Sequence, residues 1–361
     1  MMMNRKWAII GMLIGFMNVP FVAKSAEEGE VNAIEVVMEH ISDSYEWHIT
    51  NIGEHELTLH LPVIVKSQDG WRCFSSSRLH EGKEYQGLYI APEGTYKGKV
   101  VERLSDGSDH RPLDLSITKT AAGLFVNSLV LLLLVLGVAR WYRHHQSTSE
   151  APTGFVGIME MLVSMLIDEV IEPSIGPNYR RFAPYLLTAF FFILINNLMG
   201  LIPIFPGGTN VTGNIAITLV LALATFFAIN IFGTKHYWKD IFWPEVPWWL
   251  KVPVPMMPLI EFIGLFTKPF ALMIRLFANI MAGHSVILIL TCIVFVTAKM
   301  GAAINSSMIV VSVLLSIFMN CLELLVAFLQ AYVFTMLSAV FIGLAQESPE
   351  AEEEQILQKN E

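Results

Sequence analysis

Uninterrupted apolar runs dominate the chain beyond residue 120, and their lengths and flanks predict membrane-crossing helices. The first covers about 124–142, with Leu129 to Leu136 unbroken aliphatic, and ends among Arg140, Arg143, His144 and His145. Basic residues collect on the cytoplasmic side, so this helix is expected to enter from outside and leave inside. A second span is predicted at about 183–203, introduced by Arg180-Arg181, and a third at about 214–234, ahead of Lys235, His236 and Lys239. These two run outward and then back inward. The last two blocks, about 258–298 and 306–346, are each about 40 residues long, nearly twice the ~20 that a perpendicular helix needs. Either each hides a turn, which in the first block only Pro269 or Gly283 could offer, or each is one long, strongly tilted helix.

Other patterns separate the remaining segments. Between 154 and 172 apolar Ile158, Met161, Leu162, Met165, Leu166 and Val170 recur at helical spacing among Glu160, Asp168, Glu169 and Glu172, which predicts an amphipathic helix lying at the membrane surface. Trp243, Trp248 and Trp249 with five prolines fill the loop from Trp238 to Pro258; tryptophans suit the headgroup layer, and prolines exclude a regular helix. Residues 26–120 alternate instead with period two, as in Glu56-Leu57-Thr58-Leu59-His60-Leu61 and Gly87-Leu88-Tyr89-Ile90. Turn signals stand at Gly82, Pro92-Glu93-Gly94 and Asp106-Gly107, so a small extramembrane region with some β structure is expected. The first 25 residues carry Asn4-Arg5-Lys6, an apolar run from Trp7 to Ala23 and small residues at Ala23 and Ser25. That is a secretory signal pattern, with an uncleaved anchor helix as the rival; either delivers the following region to the periplasmic side.

Composition agrees with a polytopic membrane protein: 54% apolar and 15% charged residues, with a mean hydropathy of +0.54. The net charge of -9 is no nucleic-acid signal. Much of it sits after Ala26 and in a solvated cytoplasmic tail, 347–361, holding Glu347, Glu350, Glu352, Glu353, Glu354 and Glu361. Cys73, Cys292 and Cys321 have no paired spacing, so neither a disulfide framework nor a thiolate metal site is expected. His40, His48, His55 and His60 share no tight ligand spacing either. They read as surface or structural histidines, and no metal or cofactor is expected.

The candidate chemistry lies in the last two blocks. Arg275 sits deep in an apolar stretch, and a guanidinium cannot shed its proton to escape a bilayer, so the position costs roughly 2.5 kcal/mol or more unless a carboxylate or water meets it. On a helix Glu261, Lys268, Arg275 and Ala282 form one stripe, with Asn279 close by. Small residues at Ala278, Ala282 and Gly283 would admit another helix closely, whether a moving partner or a fixed neighbour. At about 100° per residue, His284 turns to roughly the opposite face from Arg275. In the partner block Glu323 and Gln330 share a face. An intramembrane imidazole and carboxylate serve either as a buried structural pair or as stations in a water-filled proton path.

The words of this stretch resemble the subunit a family of F-type ATP synthases. The resemblance rests on Arg275-Leu276-Phe277, Asn279 and Ala282-Gly283-His284. It extends to Asn196-Asn197-Leu198-Met199-Gly200-Leu201-Ile202-Pro203 and to Glu323 through Gln330-Ala331-Tyr332-Val333-Phe334, covering roughly residues 150–346. It implies an all-α membrane domain of five spans over 121–346, an interfacial helix, and a tilted C-terminal hairpin with its break at Gly301 to Asn305 cradling a ring of c subunits. It also implies subunit b and the rest of the synthase as partners, and a bacterial inner-membrane location with a cytoplasmic C-terminus. By the same resemblance Arg275 keeps two aqueous half-channels apart and meets the ring carboxylate when ionised, while Asn279 and Gln330 steer the guanidinium. His284, Glu323 and Asn214 would line the outer half-channel, and Glu261 and Lys268 the inner exit. Some members exchange the residue types found here at His284 and Glu323, keeping one imidazole and one carboxylate.

Other functions fit less well. A secondary transporter or other ion-driven stator would use similar intramembrane charges, but a transporter built from two like halves would show an internal repeat, and none links the hairpin to the earlier spans. A sensor would need an output domain after the spans. No HExxH, GxSxG or GxxxxGK[ST] motif is present, so the chain is expected to be a non-catalytic conduit whose nucleotide chemistry resides elsewhere.

Overall fold

The computed structural model describes residues 42–52, 55–68, 70–92, 94–104, 108–145, 152–202, 207–242, 256–297 and 302–346. The expected signal segment, His40, the tryptophan-rich part of the loop and the acidic tail lie outside the described residues. The chain divides into two compact units. One comprises Met1–Leu129, Leu198–Val211 and His284–Cys321; the other comprises Val130–Asn197, Thr212–Gly283 and Leu322–Glu361.

In the first unit, alternation gives short antiparallel strands. β1 (Glu46–Ile52) pairs with β2 (His55–His60); β3 (Pro62–Ser67) lies between β4 (Gly70–Ser75) and β8 (Leu113–Asp114); β6 (Val100–Arg103) lies between β5 (Leu88–Ile90) and β7 (Asp109–His110). On β3 the period of two puts Val63 and Val65 inward and Lys66 outward. Those valines join Tyr45, Phe74, Leu79, Leu88 and Val100 in one core. Gly94, at φ 88°, makes the left-handed turn between β5 and β6 that the Pro92-Glu93-Gly94 signal foretold. The buried Tyr45 hydroxyl donates to Asp114 and accepts from the Val100 N–H at 3.3 Å. Burial, then the bond to Asp114, raises its phenol well above the ordinary range.

This region is tied to the first long helix, α1 (Lys119–His144). Asp43 accepts from the Thr120 N–H at 3.0 Å and from its hydroxyl at 2.8 Å, capping the helix across 77 residues. Only Thr120, Gly123 and Asn127 of α1 are buried, one stripe at helical spacing. A Cβ at Gly123 would stand 2.7 Å from Thr209 Cβ. The leucines of 129–136 are largely exposed, as an acyl-chain solvent would suit.

Five helical segments among the described residues are long and apolar enough to cross a membrane. They are α1; a segment ending in α4 (Tyr179–Leu201); α5 (Ile215–Phe232); α7 (Met256–Thr297); and α8 (Ala302–Gln346). Lys235–Phe242 forms the short α6. The chain is therefore an all-α polytopic membrane protein with a small β-containing N-terminal region.

Two expectations change in detail. The amphipathic helix expected at 154–172 is not regular: α2 (Phe155–Met165) passes through a π turn at Leu166–Ile171 into α3 (Glu172–Ile175). Pro173 has no N–H for the Glu169 carbonyl four residues earlier, and the widened turn falls where that bond would be. Second, α7 runs unbroken through Pro269 and Gly283, and α8 is also continuous. At 1.5 Å per residue they are about 63 and 68 Å long, twice the ~30 Å hydrocarbon core, so each must tilt or project beyond it. Helix is present from Ala302 onward, so the break expected at Gly301 to Asn305 does not extend over 302–305; Ala302-Ala303 are strong helix formers.

Candidate functional site

Within the second unit α7 has two unlike faces. Leu265, Pro269, Leu272, Met273, Leu276 and Ile280 are buried, at spacings of three and four. Ala271, Arg275, Ala278, Asn279 and Ala282 are exposed on the other side. Arg275 thus lies on an open strip of small side chains in the middle of a long apolar helix. None of the ion pairs among the described residues involves it.

α8 is polar inward. Its exposed positions include Leu324, Leu325 and Leu329, whereas Glu323, at 5% exposure, and Gln330, at 6%, are buried with Thr335 and Ser338. Glu323 packs against Gly283 of α7: an added Cβ there would meet Oε1 at 3.0 Å and Cδ at 3.3 Å. Glycine at 283 therefore makes room for a carboxylate, which explains one of the small residues noted in the sequence. Further along, Ala327, Ala331 and Ala339 are buried, and a Cβ on Gly343 would stand 2.9 Å from the Ser174 carbonyl carbon. Small side chains let α8 approach its neighbours closely.

A polar seam accompanies these groups that the candidate set did not include. Asn197 donates to the Ala327 carbonyl at 3.1 Å and accepts from the Thr212 hydroxyl at 2.7 Å. Tyr185 and Thr225 share a hydrogen bond of 2.8 Å, and Thr225 and Ser338 one of 3.3 Å. Thr218, Ala222, Thr225 and Ile229 form the buried stripe of α5. Threonines and serines at stripe positions were the available signal, masked because single hydroxyls scarcely interrupt an apolar run.

The remaining candidates fall in varied settings. Asn214 is the N-cap of α5, accepting from the Ala216 N–H at 3.0 Å, which gives it a structural task. The Lys268 ammonium lies 5.6 Å from the centre of the Phe341 ring. Glu261 is half-buried near Tyr237 on α6, whose phenol is raised by burial and then by that negative charge. In the first unit His284 is half-buried, with its Nε2 3.7 Å from where a Cβ on Gly200 would lie.

A profile of the ATP synthase A chain family matches residues 124–343, the whole stretch holding this arginine-bearing hairpin. The chain belongs to that family. Among its relatives named "ATP synthase subunit a", one from Pelodictyon phaeoclathratiforme is 46% identical over 240 residues, covering 64% of this chain and 66% of that protein. One from Chlorobium phaeobacteroides is 45% identical over 239 residues, again 64% and 66%. The match thus spans just under two thirds of these relatives' own length. A relative from an Anaeromyxobacter species is 36% identical over 336 residues, covering 89% of this chain and 73% of its own. Residues 36–115 match a family described only as a domain of unknown function.

Proposed function

We propose that this chain is the stationary membrane-sector subunit of an F-type ATP synthase, passing protons to and from a carboxylate on a rotating ring of c subunits. The observation that carries the reading is the exposed strip of α7, where a permanent cation stands among alanines and Asn279. Alanine side chains leave the close approach that a passing helix needs. The guanidinium attracts a ring carboxylate only when that group is ionised, and it repels a proton in transit, so rotation follows deprotonation and the two half-channels stay apart.

Glu323, buried on the inner face of α8 beside Gly283, suits one station of the outer half-channel with His284. Gln330 and Asn279 supply neutral donors and acceptors for water and the guanidinium; Glu261 and Lys268 lie toward the inner exit, and Asn214 at the outer entrance. Each proton crossing 100 mV releases about 2.3 kcal/mol, so several per turn drive ATP formation in the catalytic partners. The chain itself is non-catalytic, works with subunit b and the remaining subunits, and spans a bacterial inner membrane with its β region periplasmic and its C-terminus cytoplasmic.

The test is ATP-driven proton pumping in inverted vesicles. Arg275→Ala should abolish pumping while the assembled complex remains extractable. Normal pumping by this variant would overturn the reading.

A further inference from the structure

We propose that the β region carries a binding site for a divalent transition-metal ion, of the zinc class, formed by Glu46, His60 and His80. Three separate elements deliver the ligands. The antiparallel register of β1 and β2 sets Glu46 directly opposite His60, which brings the two side chains to one face of the pair. His80 arrives from a 3₁₀ turn, His80–Gly82, whose preceding residue Leu79 is anchored in the core at 1% exposure.

The donor atoms converge. His80 Nδ1 lies 3.0 Å from both Glu46 carboxylate oxygens, His60 Nε2 lies 3.9 Å from Oε1, and one donor atom from each residue falls within 4.8 Å of the others. The two imidazoles meet edge to face, with ring centres 5.7 Å apart and planes at 86°. A tetrahedral zinc ion held at about 2.0–2.2 Å from each ligand sets its donors about 3.3–3.6 Å apart, within the spread of separations found here.

A hydrogen-bonded pair needs only His80 and Glu46. The second imidazole, aimed at the same carboxylate from beyond hydrogen-bond reach, adds nothing to that bond. It completes a set of two nitrogens and one oxygen, which suits zinc, copper(II) or nickel(II) and not the all-oxygen shells of calcium and magnesium. All three residues are half-buried, so solvent reaches the ion and supplies its fourth ligand.

The test uses the full-length, untagged chain in detergent micelles, stripped with EDTA and titrated with Zn²⁺ against a chromophoric chelator. One equivalent should bind, Mg²⁺ should not compete, and His60→Ala and His80→Ala should each weaken binding at least tenfold. Glu46→Gln, which keeps the side chain's size, should weaken it similarly while the far-UV circular dichroism in EDTA matches the unaltered chain. His48→Ala should bind normally. Absence of a stoichiometric site, unchanged affinity in the Glu46→Gln protein, or equal loss in the His48→Ala protein would each overturn the proposal.

Discussion

Glu323 shows how much one residue's setting decides. A carboxylate taken out of water is costly, and this one is retained on the inner face of a helix whose outer face is leucine. If it is a proton station, Glu323→Leu should slow proton uptake in reconstituted vesicles by tenfold or more while the amount of assembled complex changes little. Loss of assembly with normal transport per assembled complex would favour a structural role. The partner that makes room for it, Gly283, was legible only as a small residue. Its purpose depends on which helix stands opposite, and no local pattern encodes that. Arg275 was the reverse case: a fixed cation in an apolar run announces itself, and the fold then puts it on the open strip.

Individual elements were legible to the extent that periodicity alone determines them. Five apolar blocks became long helices, because length and hydropathy suffice for a segment that satisfies its own backbone hydrogen bonds. The choice between broken and continuous helices was open in the sequence. Pro269 lies in the interior of α7 and the helix continues, its lost hydrogen bond outweighed by the packing of Leu265, Leu272 and Leu276 on the buried side. The π turn before Pro173 was not foreseen, since the apolar spacing of 158–170 fits a regular helix. Contact between α8 and the α3 turn was equally hidden, and it is testable. Gly343→Val should push against backbone at Ser174, destabilising the assembled subunit by about 1–3 kcal/mol, read as a lower melting temperature of the purified complex. An unchanged melt would mean that the close approach is relieved at little cost. The Glu46, His60 and His80 cluster escaped sequence reading for a related reason: 14 and 20 residues separate its members, and only strand register and an anchored turn unite them.

At the scale of the whole molecule, the chain is polar within and apolar without along α5 and α8, and its family membership accounts for that inversion. Among the described residues, the open face of α7, where Arg275 is exposed, departs from that pattern. A permanently charged group facing acyl chains costs a solitary chain roughly 2.5 kcal/mol or more, a penalty removed when an acidic neighbour covers it. The orphaned protein should therefore be the short-lived form. If the proposed ring of c subunits is that neighbour, pulse-labelling should show faster degradation in cells lacking the c subunit, and Arg275→Leu should lengthen that solitary lifetime; equal lifetimes would show that the uncovered charge is harmless. The same side chain would then act before any rotor turns, as a mark by which membrane quality control distinguishes a subunit still waiting from one already installed.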